Sequence, residues 1–341
     1  MTDYFIIGKQ DIADIYSRLQ TAHQRKEAEL RERLYGEIPE LAELERELTA
    51  TYTGSLRSLI SLPPEEAAAL KAKQKVKIQE LRERKEAVLK SHGLTAADLE
   101  APYECPICRD EGYVNGERCS CYKKHLLKLL YRQSSLGSVL ERENFDTFSL
   151  DYFSREPYGD LVSPYENMTG LLAAAKHFAE TFQPEGKSFL FYGSAGVGKT
   201  FLSNCIAKTV MDSGHSVLYV TANELFEDIL SPCIMSPDPD QRERLQPVHS
   251  LIYTADLLVL DDLGTELTNE FTRSQLFEII NRRMIARKST IISTNYSLKQ
   301  FREKYYDRIL SRIVDFYELC YFYGDNIRSK RKTAALKEQT K

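Results

Sequence analysis

Phe189-Leu190-Phe191-Tyr192-Gly193-Ser194-Ala195-Gly196-Val197-Gly198-Lys199-Thr200-Phe201-Leu202-Ser203-Asn204 decides the fold. Four apolar residues, a glycine-rich turn closed by Lys-Thr, and the start of a plausible helix follow one another without interruption. The glycines let successive backbone N–H groups turn toward an anion, while the next helix offers its positive end to the same charge. Lys199 then reaches the terminal phosphates of a nucleoside triphosphate. The Thr200 hydroxyl is placed for Mg2+, which prefers oxygen ligands. Residues 193–200, including Ser194, Ala195 and Val197, are therefore expected to bind the nucleotide.

On either side of this motif, short apolar runs alternate with helical stretches: 217–220, 257–260, 290–293 and 319–322, with a helix expected over 171–181. Continuous apolar strands separated by helices predict a parallel sheet covered on both faces, an α/β core. The run at 257–260 ends in Asp261-Asp262, which delivers two carboxylates to the strand end where open α/β sheets bind ligands. Asp261 is the expected metal holder. Asp262 is the candidate to orient or activate the attacking water. Glu266, four residues on, either shares that work or caps the next helix. Ser293-Thr294-Asn295 ends the following strand, so Asn295 is expected to sense the terminal phosphate or to position water.

These segments together resemble the AAA+ ATPases of the DnaC/DnaI helicase-loader and IstB group. The resemblance rests on residues 193–200, on Asp-Asp-Leu-Gly at 261–264 and on Ile292-Ser293-Thr294-Asn295. It implies an ATP- and Mg2+-dependent ATPase over roughly residues 144–332. It also implies an arginine finger in Asp307-Arg308-Ile309-Leu310-Ser311-Arg312, with Arg312 the closer match and Arg308 the reserve. A finger supplied by a neighbouring subunit couples hydrolysis to ATP-dependent self-assembly. Arg328, in Phe322-Tyr323-Gly324-Asp325-Asn326-Ile327-Arg328, resembles the second sensor and is expected near the nucleotide. Residues 221–236 occupy the place where initiator-type relatives contact single-stranded DNA, but Glu224, Glu227 and Asp228 are a poor match for phosphate.

Cys105-Pro106-Ile107-Cys108 and Cys119-Ser120-Cys121 form two close pairs about a stretch containing Gly112, Asn115 and Gly116. Two pairs on two turns present four thiolates tetrahedrally, so structural Zn2+ is expected, with His125 as the alternative to one cysteine because the second pair is spaced by a single residue. Cys205, Cys233 and Cys320 read as small apolar residues. A basic helix is expected over 123–132.

Residues 11–91 are charged and nearly free of glycine, and Pro39 and Pro63-Pro64 divide them into three expected helices. Leu41, Leu44, Leu48, Tyr52, Leu56 and Leu59 form one apolar stripe, continued by Ile78, Leu81 and Val88. The stripes cover each other in an antiparallel hairpin, dock a partner, or do both.

The 46 Lys+Arg against 50 Asp+Glu leave a net charge of −4 in 341 residues, which excludes a polycation that coats nucleic acid by charge alone. No segment is long and apolar enough for a membrane span, so a cytoplasmic protein is expected. The expected division is a helical partner-binding region (1–100), a zinc module with a basic helix (101–135), a lead-in (136–185), the AAA+ core (186–332) and a tail (333–341). The resemblance implies a loader that delivers a hexameric replicative DNA helicase to single-stranded DNA. The alternatives are an IstB-like transposition accessory ATPase and a zinc-helical adaptor with a nucleotide-gated binding switch.

Overall fold

The structure, a computed structural model, describes residues 9–59, 64–133 and 136–329. The chain divides into two compact units, residues 13–119 and residues 1–12 with 120–341.

In the first unit, α1 (Lys9–Glu37), α2 (Pro39–Leu59) and α3 (Pro64–Ser91) are the three expected helices. Helices α2 and α3 pair antiparallel: Leu41 clusters with Leu89, Glu45 accepts from Lys85 at 2.6 Å, Leu48 clusters with Leu81, and Arg82 donates to the Tyr52 hydroxyl at 2.8 Å. Rising numbers along α2 meet falling numbers along α3, so the two stripes do cover each other. Tyr52 is 42% exposed, and the side chains of Leu56 and Leu59 lie outside the described residues. A hairpin of β1 (Tyr113–Val114) and β2 (Glu117–Arg118) follows. Its turn residues Asn115 and Gly116 have φ of 53° and 83°, the two left-handed positions that favour Asn-Gly in a two-residue hairpin.

The second unit begins with α4 (Ser120–Gln133), α5 (Leu136–Arg142) and α6 (Pro164–Glu180). Helix α4 is the expected basic helix. Helix α6 starts seven residues earlier than the apolar pattern suggests, because Ser163 caps it and shares a capping box with Glu166. Then come β3 (Ser188–Gly193), α7 (Lys199–Asp212), β4 (Val217–Thr221), α8 (Ser231–Met235), α9 (Pro239–Thr254) and β5 (Leu257–Leu263). The chain continues through α10 (Glu270–Ile285), β6 (Ser289–Thr294), α11 (Leu298–Tyr305), α12 (Asp307–Phe316) and β7 (Tyr317–Phe322). The five strands β3 to β7 form one parallel sheet in the order β4-β5-β6-β3-β7, and every expected apolar run is one of them.

The compact unit starts at 120, well before the expected core boundary at 186. Leu140, Phe153, Met168 and Phe178 belong to the same buried cluster as the strand residues Phe191 and Val259, so the lead-in is part of the core. Between β4 and α8, residues 224–230 form a π-helical turn that buries Leu225, Phe226, Ile229 and Leu230. Glu224, the first residue of that turn, ties it to the end of β4, accepting from the Thr221 backbone N–H at 2.8 Å and from its hydroxyl at 2.9 Å. Arg283 is fully buried, donating to Thr290 Oγ1 at 2.9 Å and to the carbonyls of Ile252, Ala255 and Ser289. It pins α10 to the α9–β5 connection and to the start of β6.

Candidate functional site

The phosphate loop hangs between β3 and α7 at the carboxyl end of β3, which lies between β6 and the edge strand β7. Gly193 has φ of 130°, and a Cβ there would lie 1.9 Å from the Phe322 carbonyl oxygen, so no side chain fits between β3 and β7 at this point. Gly198, at φ of 102°, caps α7. Lys199 Nζ donates to Gly193 O at 2.9 Å, Ser194 O at 2.6 Å and Asn295 Oδ1 at 2.8 Å. Burial lowers its pKa to about 8, opposed by the carboxylates of Asp262 and Asp261 and reinforced by Arg328.

Asp261 is 3% exposed, and both of its oxygens are held. Oδ1 accepts from Thr200 Oγ1 at 3.3 Å and from Ser293 Oγ, while Oδ2 accepts from the Tyr219 hydroxyl at 2.9 Å. An all-oxygen pair on two elements, one a carboxylate and one a hydroxyl, is the donor chemistry magnesium prefers. Tyr219 was not legible as a site residue. Its signal is register: Thr221 pairs with Asp261, and two residues earlier on the same strand face comes Tyr219.

Asp262 sits at φ of 52°, and its N–H donates to Ser293 Oγ at 2.9 Å. Burial raises its pKa, the neighbouring Asp261 charge adds to the rise, and Lys199 and Arg328 counter it. Asp262, Asn295, Lys199, Thr200 and Arg328 line one pocket. Arg328 reaches it because the Ile327 N–H donates to Gly196 O at 2.8 Å, which ties the segment after β7 to the phosphate loop. Glu143, which sequence reasoning did not single out, lines the same pocket and accepts from Asn204 Nδ2 at 2.6 Å.

Beside the phosphate loop lies a second, apolar pocket walled by Phe148, Tyr152, Phe153, Phe201 and Ile327. Phe148 meets Phe201 edge to face, with centroids 5.4 Å apart. A flat aromatic-lined slot next to a phosphate cradle fits a nucleobase. The aromatic spacing in 144–153 was the available signal, and nothing in it announced which strand it would pack beside.

Two expected groups lie elsewhere. Glu266 is 5% exposed and neither lines the pocket nor caps α10, whose cap is Asn269. Its carboxylate accepts instead from the Gly264 N–H at 2.8 Å and from the Tyr305 hydroxyl. Arg312 and Arg308 stand on α12 and do not line this pocket, their guanidinium carbons 4.4 Å and 4.8 Å from the Phe277 ring centre. Arg312 also donates to Asn281 Oδ1 at 3.3 Å.

The ligand atoms of Cys105, Cys108, Cys119 and Cys121 all lie within 4.8 Å of one another, and His125 is outside that group. Cys105 Sγ and Cys119 Sγ are 3.8 Å apart. Two thiolates bound tetrahedrally at zinc–sulfur distances of about 2.3 Å stand about 3.8 Å apart, so the pair already has the spacing the metal requires. The Gly112 N–H donates to Cys108 Sγ at 3.3 Å, and Asp110 accepts from the backbone N–H groups of Glu104 at 3.0 Å and Cys105 at 2.7 Å, fixing the first turn.

Residues 177–335 match the family model described as IstB-like ATP binding protein. The replicative helicase loader DnaC of Buchnera aphidicola subsp. Acyrthosiphon pisum is 25% identical over 186 residues, covering 54% of this chain and 71% of the relative. DnaC of Escherichia coli (strain K12) is 23% identical over 148 residues, 43% of this chain and 58% of the relative. The replicative helicase loader DnaI of Bacillus subtilis (strain 168) is 23% identical over 205 residues, 60% of this chain and 57% of the relative. Among solved structures, a DnaC helicase loader aligns with a TM-score of 0.44 at 26% identity, covering 54% of this chain and 99% of that one. No helix among the described residues is long and apolar enough to cross a membrane.

Proposed function

We propose that this chain is an ATP-regulated loader of a replicative DNA helicase, because residues 177–335 match the IstB-like ATP binding protein model and the chain is similar to the helicase loaders DnaC and DnaI. The observation that carries the ATPase half is the convergence of Lys199, Thr200, Asp261, Asp262, Asn295 and Arg328 at the carboxyl ends of the central strands. The phosphate-loop N–H groups and Lys199 hold the triphosphate. The base enters the slot between Phe148, Phe153 and Phe201. Thr200 and Asp261 would hold Mg2+, which would supply positive charge to the phosphates.

Hydrolysis then needs a water in line with the terminal phosphate. Asp262 faces that position, with its carboxyl pKa raised, and a more basic carboxylate is the better proton acceptor. Asn295 shifts from Lys199 to the terminal phosphate or the water. Arg312, with no role in its own pocket, supplies positive charge to a neighbouring subunit's transition state, so turnover follows assembly. Arg328 reports on the phosphates from the far wall.

The four cysteines hold structural Zn2+, and with α1–α3 they form the module that binds the hexameric helicase. Single-stranded DNA is the product-side partner. Size exclusion of the full-length protein with the host's replicative helicase, with and without ATP, tests this reading. A nucleotide-dependent complex is expected. Absence of a complex, together with tight and salt-sensitive duplex binding, replaces the loader with a transposition accessory ATPase. Tight ATP binding without turnover in the complex replaces it with a nucleotide-gated adaptor.

A further inference from the structure

Glu266 is a buried carboxylate held by neutral donors. Gly264 N–H donates to Oε2 at 2.8 Å; the Tyr305 hydroxyl and Thr268 Oγ1, the latter at 3.4 Å, donate to Oε1. Each end of this small network leads to a functional element. Gly264 stands two residues after Asp262, and its backbone is clamped on both sides. Glu266 takes the Gly264 N–H, and the Tyr296 hydroxyl, on the residue after Asn295, donates to the Gly264 carbonyl at 3.1 Å. The clamp is close: a Cβ on Gly264 would lie 2.4 Å from the Tyr296 ring.

At the other end, Tyr305 is the last residue of α11. The next residue, Tyr306, has φ of 66° and turns the chain into α12, which carries Arg308 and Arg312. That joint is also fixed from outside, where Arg273 donates to Lys304 O and to the Tyr306 hydroxyl, both at 2.8 Å. A buried charge satisfied from two separate elements holds those elements at one distance, since losing either donor leaves the charge undersolvated.

We propose that Glu266 is a positioning residue that ties the loop carrying Asp262 to the α11–α12 joint, so that a subunit's own nucleotide site sets the aim of the arginine it offers its neighbour. This rests on the reading of Arg312 as a finger acting between subunits. A triphosphate that moves the 262–264 loop pulls on Gly264, and the displacement passes through one carboxylate and one hydroxyl to the residue that starts α12. The opposite direction holds equally, because coupling between two sites is reciprocal.

Mixing full-length subunits tests it. Acceptors carry Arg312→Ala and keep their own pocket intact. Donors carry Asp262→Asn, isosteric and with their own turnover measured first and subtracted, and keep Arg312. Turnover restored in the mixture reports finger donation. Adding Tyr305→Phe to the donor deletes one hydroxyl, and the expected loss of restored turnover is about tenfold, the scale of one hydrogen bond to a buried charge. Glu266→Gln in the donor keeps an acceptor for Tyr305 and is expected to restore more turnover than Glu266→Ala.

Equal restoration by donors with and without the Tyr305 hydroxyl, at unchanged ATP affinity, overturns the proposal. Failure of the unmodified donors to restore any turnover overturns the finger reading instead. Lost ATP affinity in isolated Tyr305→Phe subunits, where no neighbour receives the arginine, also overturns the proposal, because it shows the tyrosine serving nucleotide binding itself.

Discussion

ATP affinity is expected to fall about tenfold between pH 7 and pH 9 because of Lys199 alone. Its amine is buried against two backbone carbonyls and Asn295, and its pKa is lowered to about 8. With that value, the protonated fraction falls from about 0.9 at pH 7 to about 0.1 at pH 9. A bound triphosphate demands the ammonium form and holds its pKa well above 9, so binding at the higher pH must take up a proton. The ratio of the two fractions is about tenfold, or about 1.4 kcal/mol. Titration calorimetry with excess Mg2+, repeated in buffers of different ionisation enthalpy, reads both quantities. About 0.9 protons taken up per ATP at pH 9 and about 0.1 at pH 7 are expected. Flat affinity with no proton uptake at pH 9 refutes the buried, depressed Lys199. The linkage to folding has a matching sign. Between pH 8 and 10.5 the unfolded chain binds more protons at this lysine than the nucleotide-free fold, so the fold gains stability there as pH rises, and bound ATP removes that dependence.

Other consequences are as direct. Arg283→Met should lower stability by about 3–5 kcal/mol, because four acceptors lose a buried donor group; urea denaturation measures it. Gly193→Ala should cost about 3 kcal/mol or more and weaken nucleotide binding with it, since the added methyl meets the Phe322 carbonyl; thermal unfolding and ATP titration check both. One Zn2+ per chain should be released when the cysteines are titrated with a mercurial reagent. Cys119→Ser should lower that stoichiometry while leaving ATP affinity within about twofold.

The phosphate machinery was legible because each part is a local pattern at a strand end. Loop, Asp261-Asp262 and Asn295 each follow an apolar run, and the parallel sheet brings those ends together without further information. Arg328 came from resemblance, and its place is explained by a backbone hydrogen bond to Gly196 that no pattern announces. Tyr219 and Glu143 were missed because their roles depend on which strand or helix neighbours which. Pairing of β4 with β5 and packing of the lead-in on α7 are tertiary facts. The partners of Glu266 were not legible because spacing after Asp262 is a one-dimensional quantity, whereas the left-handed turn at Asp262 and the approach of α11 bring its carboxylate to Gly264 and Tyr305. The β1–β2 hairpin was overlooked although Asn115-Gly116 is a strong turn signal, since its strands are only two residues each.

The apolar pocket beside the phosphate loop is walled by Phe148, Tyr152 and Phe153 from the lead-in and by Phe201 and Ile327 from the segment matched by the family model, which begins at 177. Phe148 packs against Phe153 on its own side of that boundary and against Phe201 on the other. A change of ring at any of the three alters the wall the others share, so the lead-in and the matched segment must change in step at this point.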